Sequence, residues 1–172
     1  MSSTSLTAES VNALVDSELG RLRDQRVVAH IRSLLVTPRA QQRAWDYGEP
    51  GQSYPCWLVL AHRPSNTGIA YCEHGFGPKM PWGLLTLEGT EHMSMGMDSG
   101  WFDRFPDAYF ESHASADLPI WRVFECNGVE FPGTPITAEG AWDATWAEVK
   151  RLRSERPGLR YNCWQSVYAR DD

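Results

Sequence analysis

The stretch CEHGFGPKMPWG, residues 72–83, places a thiol, a carboxylate and an imidazole ahead of three glycines and two prolines. Cys72 and His74 are the residue types of a nucleophile and its base, and a cysteine becomes reactive where its surroundings favour the thiolate. Two positions apart on a strand, the two residues lie about 6.5–7 Å apart, too far for a direct hydrogen bond. Catalysis at Cys72 therefore needs a partner supplied by folding, with His62, His92 and His113 as candidates. If the preceding strand folds back so that Arg63 opposes Ile69, then Cys56, Leu58, Leu60 and His62 share one face with Cys72 and His74. Two thiols and two imidazoles raise the question of zinc, but only Cys72 and His74 are close in sequence, so no metal centre is expected. Nor does GFGPKMPWG have the order of a phosphate loop, and no cofactor is expected. On this reading the chain is a small enzyme or ligand-binding protein with a pocket around Cys72, His74 and the Gly75–Gly83 loop.

A second set of residues points to a different chemistry, and this reading leads. Residues 41–120 hold four basic side chains against ten acidic ones, which accounts for the whole formal charge of −6. Such a segment repels phosphate backbones and attracts a basic protein partner. Nucleic acid is accordingly excluded as a ligand. Phe76, Met80 and Trp82 in the loop, with Trp101, are aromatic or apolar residues of the kind that anchor interfaces, and Asp98, Asp103, Asp107 and Glu111 supply a charged rim. The expected function is occlusion of a basic toxin or enzyme. In kind, though through no motif, a short acidic α+β chain of this sort resembles the bacterial immunity and inhibitor proteins. The competing role for the tryptophans, eight in the chain, is to close the core.

Elements must position these residues. Thr7 is the expected N-cap of a helix whose apolar positions Val11, Leu14, Val15, Leu19 and Leu22 recur at helical spacing. A second apolar run, Val27 to Leu35, continues it or forms a second helix reaching Val36, with Thr37-Pro38 as the boundary. From Tyr54 the pattern becomes that of strands. YPCWLVLAHR, the turn PSNTG and IAYCEHG form a hairpin, and WGLLTLEG a third strand. A short helix follows around Phe105–Phe110. LPIWRVFE and VEFPGTPI form a second hairpin turning at Asn127-Gly128, with Pro132 and Pro135 marking an edge. Thr137 opens a last helix, ended by Pro157-Gly158, and LRYNCWQSVY closes the chain as a strand.

The order ααβββαββαβ predicts an α+β fold with a largely antiparallel sheet of five to six strands packed against helices. At 172 residues the chain is long enough for one globular domain over residues 7–172, with residues 1–6 a flexible tail. No apolar run approaches a membrane span and the N-terminus lacks the pattern of an export signal, so a cytoplasmic protein is expected, with no membrane partner. Its four dispersed cysteines read as reduced thiols.

Overall fold

The structure, a computed structural model, describes residues 6–44, 49–75, 79–88, 100–128 and 130–168. Its Cα positions cluster into two compact units, Met1–Ser115 and Ala116–Asp172. With four helices and antiparallel sheets of five and three strands, the fold class is α+β.

In the first unit, α1 spans Ala8–Leu19 and α2 spans Gln25–Leu34. They are separate helices. Thr7 and Ser10 cap the start of α1 reciprocally, each side chain accepting from the other's backbone N–H. Asp24 begins α2 by accepting from the Arg26 N–H at 2.9 Å, which satisfies one of the amides a helix start leaves without an internal partner. Val11, Val15, Leu19, Leu22, Val27 and Ile31 are buried, whereas Leu14 is exposed.

The sheet is a meander in chain order: β1 (Leu35–Ala44), β2 (Ser53–His62), β3 (Thr67–Tyr71), β4 (Trp82–Thr86) and β5 (Trp101–Phe102). Strand β1 is a correction to the expected order. The sequence LVTPRAQQRA has no apolar alternation because β1 is an edge strand, with only Pro38 and Arg43 buried. Its register against β2 shifts between Leu35 and Arg39, the interval that contains Pro38, which has no N–H to give to a ladder. The short β5 adds a further strand before α3 (Phe105–Phe110). Helix α1 lies against β1 and β2, α2 against β2, and α3 against β4 and β5.

The β2–β3 hairpin has a different register from the one expected. His62 opposes Thr67, Ala61 opposes Gly68 and Leu60 opposes Ile69, but Leu58 opposes Ala70 and Trp57 opposes Tyr71. One extra β2 residue is accommodated between Leu58 and Leu60, as in a bulge. Alternation is therefore broken at Val59. Leu60 and His62 point to the face of Ile69, while Cys56 and Leu58 point to the face of Ala70 and Cys72.

The second unit contains β6 (Trp121–Glu125), β7 (Thr134–Pro135), α4 (Trp142–Glu155) and β8 (Tyr161–Gln165), with the strands ordered β7-β6-β8. β7 is the expected edge, but it pairs with β6 only at Phe124↔Pro135 and Glu125↔Thr134, so Asn127-Gly128 is part of a longer connection. Asn127 is held instead by its side chain, whose oxygen accepts from the Arg160 N–H at 2.7 Å. Helix α4 starts five residues after Thr137. The Thr137 hydroxyl accepts from the Val123 N–H, and Gly140 bridges to Trp121, which keeps this segment extended. Thr145, Val149 and Leu152 are buried on α4, and Trp142 contacts Trp121 and Trp146 edge to face.

The glycines flanking the opening stretch have a steric role. A Cβ on Gly83 would lie 2.7 Å from the Trp101 indole, and one on Gly75 would also lie 2.7 Å from it. The ring is boxed in by both backbones and has no flexible end to move aside. Gly83→Ala should therefore destabilise the protein by about 1–3 kcal/mol, as overpacking of a closed core does. Urea unfolding measures this, and an unchanged midpoint would show that the indole yields freely.

Candidate functional site

Cys72, His74 and His62 are not brought together as a catalytic set. The bulge turns His62 to the other side of the sheet, where its Nδ1 lies 2.7 Å from Ser65 Oγ. His74 is exposed, and its ring stacks on Tyr54 with centroids 4.8 Å apart. What His74 offers Cys72 is its backbone N–H, which donates to the sulfur.

The partner of Cys72 is a residue the expected register assigned elsewhere. Continuing the pairing of Trp57 with Tyr71 by one position sets Cys56, not Leu60, opposite Cys72. Both belong to one buried cluster with Ala70, Leu85 and Trp101, bordered by Tyr54, Leu58 and Leu87. The Cys56 thiol donates to the Cys72 sulfur. That bond and the His74 amide hold the Cys72 thiol below its ordinary range, against the opposing effect of burial. As the donor, Cys56 is pushed upward, first by the same bond and then by burial. Cys72 is thus the first of the pair to ionise.

Arg43 completes this neighbourhood. It opposes Tyr54, which is two positions from Cys56 on the same face, and its guanidinium favours negative charge at Cys56. It is only 8 % exposed and donates to the Thr86 carbonyl at 3.1 Å and to Gln41 Oε1 at 3.4 Å. Among the described residues no carboxylate pairs with it. Nothing in the sequence singles out Arg43, because an arginine in a polar run is ordinarily solvated.

The proposed partner-binding residues divide by burial. Trp82 is 3 % and Trp101 7 % exposed, so both indoles are in the core. Trp82 packs edge to face on Phe105 of α3 and Trp101 covers Gly83. Phe76 and Asp98, like His92, lie outside the described residues. Met80 is 42 % exposed, and Asp103 and Glu111 are exposed with Asp107 half-buried. Because Trp82 pairs with Phe102 in antiparallel sense, Met80 and Asp103 leave β4 and β5 at the same end. Asp107 and Glu111 are one turn apart at α3. Partial desolvation of the Glu111 carboxyl, and then the Asp107 carboxylate, hold Glu111 above the usual carboxylate range. Nearby Arg104 is tied to Glu18 of α1 at 3.2 Å.

The second unit has a cleft of about 630 Å³ whose walls include Cys126, Phe131, Arg153, Leu159 and Asn162. The Cys126 thiol donates to the Pro132 carbonyl at 2.9 Å, with the Phe124 carbonyl farther off at 3.8 Å, and accepts from Asn162 at 3.2 Å. Arg153 donates through Nε and Nη2 to the Tyr161 carbonyl. These groups bind one another. Among the described residues no cluster of three or more metal-ligating side chains occurs, and no helix is long and apolar enough to cross a membrane.

The bond between the two sulfurs has a measurable consequence. Cys56→Ala removes a donor from the Cys72 thiolate and should move its ionisation to higher pH, read from thiolate absorbance in the ultraviolet during a pH titration. Identical titrations of variant and parent would show that Cys56 gives Cys72 no support.

No protein-family model, no curated protein and no solved structure matches the chain, so its function has to be reasoned from its own side chains.

Proposed function

We propose that this chain is a cytoplasmic partner-binding protein of the inhibitor or immunity type, which occludes a basic toxin or enzyme with the acidic end of its first unit. The observation that carries this reading is the placing of an exposed apolar side chain, Met80, at the same sheet end as Asp103, next to a helix whose Asp107 and Glu111 repel one another. Like charges held one turn apart cost the free protein stability. A lysine or arginine docking between them relieves that repulsion, and Met80 supplies the dry contact around which a charged rim works. The indoles of Trp82 and Trp101 act from beneath, by holding the backbone of this surface, rather than as anchors.

The charged rim and the apolar contact should separate kinetically. The partner is first isolated as a protein retained by the immobilised parent chain and not by the Asp103→Asn, Asp107→Asn, Glu111→Gln variant. Asp103→Asn with Asp107→Asn should then slow association and flatten its salt dependence, while Met80→Ala should mainly speed dissociation, by roughly the equivalent of 1–2 kcal/mol. A retained protein that binds the triple variant equally well, or binding indifferent to salt, would remove the electrostatic basis of the proposal.

Glu111 also gives a test on the free protein. Its folded-state carboxyl is held above its unfolded value, so the folded state takes up the proton first. The ionised form is therefore disfavoured in the fold as pH rises through the folded pKa. Glu111→Gln should raise the melting temperature at pH 7, and the gain should fade below about pH 4, where the carboxyl is protonated in both states. Equal melting at pH 7 would show that the α3 repulsion is absent.

A further inference from the structure

The pairing of Cys56 with Cys72 serves no purpose in partner binding, yet its geometry is specific. The Cys72 N–H donates to the Pro81 carbonyl at 2.8 Å and so points toward β4, while its carbonyl accepts from the Gly75 N–H in the turn that follows. Neither backbone group of Cys72 is given to β2, which leaves Cys72 facing β2 across a non-hydrogen-bonded position. At such positions opposed Cα atoms are about 4.5 Å apart and the side chains are closest. This falls within the range a disulfide spans, about 4.4–6.8 Å. The two side chains share one face and one apolar cluster.

We propose that Cys56 and Cys72 form a peroxide-responsive dithiol, with Cys72 the attacking sulfur and Cys56 the resolving one, which closes into a disulfide between β2 and β3. In the first step the Cys72 thiolate attacks one oxygen of hydrogen peroxide. An S–O bond forms, the O–O bond breaks, and the departing hydroxide takes the thiol's proton to leave as water. The product is a sulfenic acid on Cys72. In the second step the Cys56 sulfur attacks the Cys72 sulfur, the S–S bond forms, the S–O bond breaks, and a second water leaves with the Cys56 proton. Two thiols and one peroxide thus give one disulfide and two waters, the thiols being oxidised and the peroxide reduced.

The surroundings select this chemistry. The His74 N–H stabilises the attacking thiolate, and Arg43, buried on neutral acceptors, favours negative charge on the resolving Cys56 sulfur. Cys72 is 0 % and Cys56 2 % exposed, so an oxidant the size of water reaches the pair on small fluctuations, whereas a bulky disulfide such as oxidised glutathione does not. Cys126 and Cys163 lie in the second unit and have other surroundings. Burial pushes the Cys163 thiol up to about 12, and Cys126 is engaged with Pro132 and Asn162.

The test uses the full chain, fully reduced, freed of reductant and treated with equimolar hydrogen peroxide. After denaturing alkylation, the intact mass should show two blocked thiols instead of four, and peptide mapping should find Cys56 joined to Cys72. Dithiothreitol should restore all four. Cys56→Ser should stop at a sulfenic acid on Cys72, trapped by dimedone, and Cys126→Ser with Cys163→Ser should form the bridge as the parent does. Arg43→Gln should slow bridge formation several-fold. A parent chain that keeps four free thiols, carries sulfinic acid on Cys72 without a bridge, or joins Cys126 or Cys163 instead would overturn the proposal. These readouts on the parent protein decide the matter even if a variant fails to fold, and they require no binding partner.

Discussion

One extra residue in β2 governs the arrangement of the first unit. By adding Val59 between Leu58 and Leu60, the strand presents consecutive buried residues, Val59 and Leu60, at the point where its alternation reverses. Beyond the reversal, Leu60 and His62 share the side of Ile69 and, through the β3–β4 register, of Leu84. Before it, Tyr54, Cys56 and Leu58 share the side of Ala70, Cys72 and Leu85, the second apolar cluster. A side-chain period of two makes a one-residue shift exchange faces completely. That shift separates His62 from the thiols and joins Cys56 to Cys72.

The second cluster is closed by Trp101, and its closure depends on the absence of side chains beneath the indole. Gly83 opposes Trp101 across the β4–β5 pair, and Gly75 reaches the same ring from the turn after β3. That turn is tied by the Gly75 N–H to the Cys72 carbonyl at 3.1 Å, so the residues that seat the tryptophan also fix the backbone that carries the reactive sulfur. Gly75, Pro81 and Gly83 are therefore structural, and the thiol at the start of the stretch has its chemistry from the neighbouring strand. Both halves of the stretch act through one cluster.

Charge is distributed unevenly between the inside and the outside of this unit. The interior holds a guanidinium, Arg43, on carbonyl and amide oxygens, beside the Cys56 thiol. Outside, at α3, burial and the neighbouring Asp107 carboxylate raise the affinity of Glu111 for a proton. A small acidic domain tolerates such repulsion where solvent screens it over about 8 Å. At α3 partial desolvation of Glu111 weakens the screening, and it is this position, rather than the overall charge of −6, that marks the surface.

The sequence by itself determined the fold class, the capped start of α1, the meander from β2 to β4 and the core face of α4. Each follows from local signals: Thr7 and its reciprocal cap, the period of two from Tyr54, and Val149 and Leu152 one turn apart. It did not disclose β1, because an exposed edge strand has no apolar pattern to read, nor the late start of α4, because Thr137 caps a β6 amide instead of a helix. Only the tertiary structure decided which sulfur meets which, where the tryptophans go, and that Arg43 lies inside. The reason is physical: a bulge leaves no mark in composition, and a residue's partner depends on the registers of strands joined by loops of several permissible conformations. Periodicity states that Cys56 and Cys72 each face a core. That they face each other is fixed by one unpaired residue at Val59 and by a Pro81 carbonyl that draws the Cys72 backbone toward β4.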